Sequence, residues 1–276
     1  SELVRVGDLT AVTDWTHAVC GVNVVVHTAA RVHVMHEQSG NVINIYRRTN
    51  VDGTLNLARQ AADAGVKRFI FLSSIKVNGE FTCPDRFFTA EDVPNPLDAY
   101  SVSKLEAEQG LYEIGAQRGM EIVCIRPPLV YGPRVKGNFL SMMRWLDRGV
   151  PLPLRAVHNR RSLIALDNLV DLIVTCLDHP AAANQTFPLS DDEDLSTSDL
   201  LRRMCVALDR PVRLLPIPPS VIRLAMKLVG KEEMALRLLG DLQVDFSKTK
   251  RLLGWRPSVS VDQGLKKTAE WYLQLR

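Results

Sequence analysis

Tyr100-Ser101-Val102-Ser103-Lys104 sets a phenol and an ammonium four residues apart. On a helix such positions share a face, so the lysine can favour the phenolate and lower a pKa that starts near about 10. A tyrosine tuned in this way can take or give a proton at a carbinol or carbonyl. Alone, the spacing is weak, because a partly buried tyrosine beside a solvated lysine would produce it too. Its company gives it weight. Leu72-Ser73-Ser74 closes a β-rich run. A hydroxyl just past the carboxyl end of a parallel strand points into the ligand crevice, although plain turn chemistry also accounts for both serines. Val26-His27-Thr28-Ala29-Ala30-Arg31 offers small residues against which a flat ligand can lie. Asn50-Val51-Asp52-Gly53-Thr54 opens a helical stretch, and Arg126-Pro127-Pro128-Leu129-Val130-Tyr131-Gly132-Pro133 follows a third apolar run.

The elements that must position these residues are legible from their periodicity. Asn23–Thr28, Arg68–Ser73 and Glu121–Arg126 read as buried strands. Val51–Ala64 and Ser101–Gln117 read as helices stopped near Gly65 and Gly119. Continuous apolar strands separated by helices imply βαβ units and a parallel sheet covered on both faces. After residue 127 prolines crowd the chain. Helices are expected at 167–178, 197–208 and 261–275, with a strand at 213–217. The second half reads as a smaller, loop-rich lobe with some segments returning to the sheet. The division is 1–130 and 131–276.

Composition narrows the function classes. The 276 residues are 46% hydrophobic and 24% charged, which is ordinary for a globular chain and excludes a disordered or collagen-like one. Net charge is +3 with both signs interspersed, so no nucleic-acid stripe is present. No apolar run is long enough to span a membrane. The five cysteines, Cys20, Cys83, Cys124, Cys176 and Cys205, include no C-x-x-C pair and suit reduced thiols in a cytoplasm. His33 and His36 lack a third ligand in view, so no metal is expected.

In this order the motifs resemble the extended short-chain dehydrogenase/reductase family, in its NAD-dependent nucleotide-sugar epimerase/dehydratase branch, over nearly the whole chain from Gly7 to about Leu273. The resemblance implies a Rossmann-like doubly wound α/β sheet with a smaller α/β substrate lobe. It makes Tyr100 the acid/base, Lys104 its partner and a nicotinamide-ribose contact, and Ser74 the hydroxyl that orients the reacting sugar oxygen. Gly7-Asp8-Leu9 looks like the adenine-side turn. Thr28, Ala29, Ala30, Asn50, Ser73 and Pro127 fall at cofactor-contact positions. Asn138 and Phe139, after Gly137, resemble the segment that meets the nucleotide. Arg161 matches the arginine strand that holds a diphosphate, with a surface ion pair as its plainer reading, and Arg237 is a second phosphate or ribose contact. His33 and Met35 would line the sugar pocket. The cofactor implied is NAD, with NADP possible. The partners implied are a nucleoside-diphosphate sugar, a UDP-sugar first, and a second copy of the chain paired through helices 53–64 and 101–117.

Three departures qualify the resemblance. No glycine-rich dinucleotide turn is found, and the chain opens with Ser1 without a signal-peptide pattern. A missing start on the order of 30 or more residues is therefore expected, carrying a strand, a Gly-rich turn and a helix. The 276 residues alone are expected to bind dinucleotide poorly. Second, Ile75-Lys76 stands where the family's 4,6-dehydratases carry Asp-Glu, which argues against water elimination. Third, Leu129 stands where many relatives have asparagine. The expected activity is NAD-dependent 4-epimerisation of a nucleoside-diphosphate sugar in surface-polysaccharide synthesis. The alternatives are a one-way NAD(P)H-dependent 4-ketoreductase and a non-catalytic cofactor sensor.

Overall fold

A computed structural model describes residues 3–32 and 42–275. His33, Met35 and His36 lie outside the described residues.

A central sheet takes its strands from both halves of the chain. β1 (Val24–His27), β2 (Arg68–Leu72), β3 (Glu121–Arg126) and β6 (Gln185–Pro188) pair in that order, all parallel. Phe69, Ile70 and Phe71, and Ile122 to Ile125, are essentially inaccessible, as strands covered on both faces must be. Pro188 closes β6 at the sheet edge, where a missing N–H is tolerated. A second, two-stranded parallel unit joins β4 (Leu129–Tyr131) to β5 (Leu163–Ala165).

The first helices, α1 (Thr16–Val19) and α2 (Val42–Tyr46), lead through a π-helical stretch at Arg47–Gly53 into α3 (Thr54–Asp63). Helical backbone therefore begins before the expected Val51. α4 (Ala99–Arg118) lies beside α3 and runs two residues earlier than expected, because Asp98 caps it. Leu57, Ala58, Ala61, Ala107, Leu111 and Ile114 pack on Phe69, Phe71 and Ile122, forming the core of one sheet face. The opposite face is covered by α6 (Leu166–Asp178), α10 (Ser247–Leu253) and Trp255, all from the second half. A separate core gathers α5 (Gly137–Asp147), α7 (Thr197–Ala207), α8 (Pro219–Leu228) and α11 (Val261–Gln274), with α9 (Glu232–Leu239) against α8. The expected strand at 213–217 is absent. Leu214 makes only an isolated bridge to Leu152, in a segment punctuated by Pro211, Pro216, Pro218 and Pro219. Among the described residues no helix is long and apolar enough to cross a membrane.

Candidate active site

Asp98 accepts the Ser101 N–H at 2.7 Å and the Ser101 hydroxyl lies 3.1 Å from the Asp98 N–H, a reciprocal cap that fixes where α4 begins. Tyr100 sits in the first turn, half-buried, with its ring edge-on to Tyr46 at 6.1 Å between centroids. One turn on, Lys104 is 1% exposed. Its Nζ donates to the Leu72 carbonyl at 2.7 Å and stands 4.2 Å over the Phe71 ring. That bond ties the tyrosine-bearing helix to the carboxyl end of β2, where Ser73 and Ser74 follow. The bond brings Lys104 to the strand end that Ser73 and Ser74 follow, with Tyr100 one turn earlier on the same helix.

The electrostatics differ from the sequence expectation. Burial pushes the Tyr100 phenol up to about 12, and the Asp98 charge and Tyr46 act in the same direction. Burial pulls the Lys104 ammonium down to about 8, against Glu108 and Cys124, which favour its charged form. The expected depression of the phenol is not found. Desolvation dominates, and the ammonium is committed to Leu72 and Phe71.

Ser74 begins the short 3-10 turn Ile75–Val77, and its Oγ accepts the Lys76 N–H at 3.2 Å. An accepting oxygen leaves the hydroxyl proton to be donated. Ser73 is 3% exposed, and its hydroxyl has no hydrogen-bond partner among the described residues. A buried hydroxyl without a partner costs about 1–3 kcal/mol, so it marks a place built for a polar ligand group. Beyond β1, Thr28 and Ala29 are exposed and Ala30 is half-buried, leaving little side chain over the backbone. The orphaned Ser73 hydroxyl, the Lys104 ammonium and this thin 28–30 segment fit the ribose and ring of a dinucleotide. Leu9 packs on Gly53, where a Cβ would stand 2.7 Å from the Leu9 side chain and 2.9 Å from its backbone. Asp8 is exposed just before it, and its carbonyl accepts the Thr13 hydroxyl at 2.5 Å. Pro127 lies under the serines, its carbonyl accepting the Ile75 N–H at 3.0 Å.

Asn50 makes three hydrogen bonds that its sequence neighbourhood does not foreshadow. It is buried in the π-helical stretch. Its Oδ1 accepts the Arg31 N–H at 2.8 Å, and its Nδ2 donates to the Arg31 carbonyl and to Ser103 Oγ. Ser103 in turn donates to the Tyr100 carbonyl at 2.7 Å. Asn50 thus clamps the loop after β1 to the helix of Tyr100, and π-helical turns concentrate at such sites.

Sequence reasoning missed two further side chains. His27 is stacked on Phe71 at 5.9 Å and shares a 2.9 Å hydrogen bond with Thr54 Oγ1. Burial, and then the Lys104 charge, lower its pKa to about 4, so it is neutral. Glu108 grips Arg126 through two hydrogen bonds, and Arg126 also donates to Asn78. Glu108 is four residues beyond Lys104, and that spacing was the available signal.

The second-lobe residues divide. Phe139 is 1% exposed and stacks on Tyr131 at 5.7 Å, so its ring belongs to the core. Asn138 beside it is exposed, as is Leu129. Arg161 is held by its donation to the Gly240 carbonyl at 3.0 Å. Burial lowers its pKa, with Glu80 and Asp241 raising it and Arg237 lowering it. Arg237 stands 3.8 Å from Glu80. The Glu80 carboxylate thus faces Arg237 and acts electrostatically on Arg161.

The capped tyrosine–lysine helix, the serines and the thin loop all lie at the carboxyl ends of parallel strands, where such sheets bind ligands. The chain belongs to the NAD dependent epimerase/dehydratase family, whose model matches residues 3–189. It is 50% identical over 273 residues to a UDP-glucose 4-epimerase of Vibrio cholerae, covering 99% of this chain and 83% of that one. It is 26% identical over 285 residues to the N-acetyl-alpha-D-glucosaminyl-diphospho-ditrans,octacis-undecaprenol 4-epimerase of Escherichia coli O157:H7, covering 98% and 83%. Among solved structures, UDP-glucuronic acid 4-epimerase of Bacillus cereus in complex with NAD superposes with a TM-score of 0.75 at 20% identity, covering 96% of this chain and 78% of that one.

Proposed function

We propose that the protein is an NAD-dependent 4-epimerase of a UDP-sugar serving surface-polysaccharide synthesis. The observation that carries the reading is the Lys104–Leu72 hydrogen bond, which ties the helix of Tyr100 and Lys104 to the strand end that Ser73 and Ser74 follow. The family and the Vibrio cholerae relative support it.

When bound, NAD supplies a reversible hydride acceptor at the sugar's carbon 4. Lys104, Ser73 and the backbone of 28–30 would hold its ribose and ring, with Asp8 and Leu9 toward the adenine. Tyr100 accepts the 4-hydroxyl proton and later returns it. Ser74 donates its hydroxyl to the same oxygen and orients it. Lys104 steadies the phenolate while the proton is away. Arg161 and Arg237 take the diphosphate, since guanidinium pairs well with phosphate oxygens. Anchoring at the diphosphate leaves the sugar free to present either face of carbon 4. We assign residues 1–130 to the cofactor side and 131–276 mainly to the substrate side. The pair α3 and α4 is the proposed homodimer face, and the free thiols suit a reducing cytoplasm.

The test is a panel of UDP- and dTDP-sugars, followed by NMR with and without added NADPH. Interconversion at carbon 4 with no net loss of reduced cofactor supports the epimerase. Consumption of one reduced cofactor per product would replace it with the 4-ketoreductase.

A further inference from the structure

Lys76 is one of the two residues that depart from the dehydratase pattern, and its ammonium is held by two carboxylates. Nζ lies 2.6 Å from Glu80 Oε1 and 2.7 Å from Asp98 Oδ2. Both partners have a second engagement. The other oxygen of Asp98 caps α4 at Ser101, the residue next to Tyr100. The other oxygen of Glu80 faces Arg237, and the Glu80 charge also acts on Arg161. Charges alternate along this line: Arg237, Glu80, Lys76, Asp98. Glu80's side chain is only 11% exposed, so its pairs are weakly screened by water.

The backbone adds a mechanical reason for the line to transmit. Glu80 and Asp98 stand at the two ends of the excursion between β2 and α4, and Lys76 joins them at its base. The excursion is stitched to the second lobe, with Phe88 N–H donating to the Gln243 carbonyl at 2.8 Å and Asp245 N–H to the Phe88 carbonyl at 2.9 Å. Thr82 N–H donates to the Asp241 carbonyl at 3.0 Å. The segment that follows Arg237 is thus fastened to the chain that leads into Tyr100.

We propose that Lys76 is a positioning residue that couples diphosphate occupancy of Arg161 and Arg237 to the cap of the helix bearing Tyr100. The inference rests on the reading of those arginines given above. An anion on the guanidinium pair competes with Glu80 for them. Glu80 then draws more on Lys76, and Lys76 less on Asp98. The Asp98 charge is one of the causes that hold the Tyr100 phenol high, so the acid/base group senses whether a nucleotide is in place. A clip that only closed the excursion would stabilise the fold without making Tyr100 respond to ligand.

The experiment uses the holoenzyme with 13Cζ-labelled tyrosine, five lines in all, the Tyr100 line being assigned by its loss in Tyr100→Phe. UDP is the probe. In the wild type, saturation with UDP moves the Tyr100 line. In Lys76→Met the movement is lost although UDP affinity stays within about threefold, and Lys76→Arg restores it. In turnover, Lys76→Met lowers kcat about fivefold with KM within about twofold. Should Lys76→Met fail to fold, Glu80→Gln interrupts the same line and must also abolish the response. A wild-type response retained in either variant overturns the coupling and leaves the proposed function intact. UDP that fails to bind the wild type, or that binds Arg161→Ala equally well, removes the arginine site and the coupling with it.

Discussion

At the scale of single residues the acid/base pair is set by burial more than by mutual attraction. A phenol at about 12 keeps its proton at neutral pH and becomes an acceptor only when nearby charge favours the phenolate. In the proposed reaction that charge is Lys104, whose burial holds it near 8 and whose ammonium must be shared between the phenolate and the Leu72 carbonyl. Tyr100→Phe is expected to lower turnover about 10²–10⁴-fold, the usual worth of general acid–base catalysis. Its thermal unfolding should match the wild type, and near-normal turnover would remove Tyr100 from the chemistry. Arg161→Ala is expected to weaken UDP binding by about 1.5–3 kcal/mol, the range for a hydrogen bond to a charged group. Its NAD affinity should stay unchanged, because the residue lies in the second half beside Gly240, away from the 28–30 segment. Calorimetry with UDP and NAD separately checks both halves of that statement.

At the scale of elements, α4 does most of the positioning, and it was also the most legible piece of the chain. Its Asp98 cap, its Gly119 stop with φ of 68° and its twenty-residue length all leave local marks in sequence. The π-helical stretch at 47–53 leaves none, since a wider turn depends on what the inserted residue can reach. For Asn50 that is Arg31 and Ser103, far away in sequence. β4 left no mark for a related reason, and β5 was legible only through the resemblance of the arginine strand around Arg161. Three residues each carry no period, and only their pairing with one another makes them strands. Glu108 shows how much α4 depends on a buried charge. It is 2% exposed and pairs with Arg126, 5% exposed. Removing one member of such a pair strands the other, so Glu108→Ala is expected to cost about 3–5 kcal/mol. Denaturant unfolding measures this. A loss below about 1 kcal/mol would place the pair among surface bridges. A deletion of both charges by Glu108→Leu with Arg126→Met is expected to lose less than the single change.

At the scale of the whole molecule, the sheet and its first covering layer followed from apolar runs, whereas the second half required tertiary information. Leu169, Leu172, Cys176 and Trp255 cover the far face of the sheet from positions 40 or more residues past β3, and no local pattern says which sheet they will meet. Phe139 shows the same limit: an aromatic ring two residues after a glycine reads equally as ligand contact or core, and only its packing on Tyr131 shows the ring buried. The site sits where the layers join, so its electrostatics reach global stability. His27 shows this. It is 4% exposed at the carboxyl end of β1, stacked on the Phe71 ring that the Lys104 ammonium also touches. Its folded pKa, about 4, lies below the unfolded value of 6.5. The unfolded chain therefore binds the extra proton first. The stability that neutral His27 contributes is fully present above pH 6.5 and is lost as pH falls toward 4. The difference amounts to about 3 kcal/mol at the acid end of that window. Asp98 acts in a lower window. Burial raises its pKa, but Lys76 and Ser101 outweigh that and hold it near 2, so its contribution is lost only as pH falls from 3.8 toward 2. Thermal unfolding followed from pH 7 to pH 4 should thus show a steady loss in the wild type. His27→Gln keeps a group able to hydrogen-bond Thr54 but cannot titrate. Its unfolding temperature is expected to start lower at pH 7 and to fall less steeply between pH 6.5 and 4. Parallel curves for the two proteins would show that His27 does not drive the acid sensitivity.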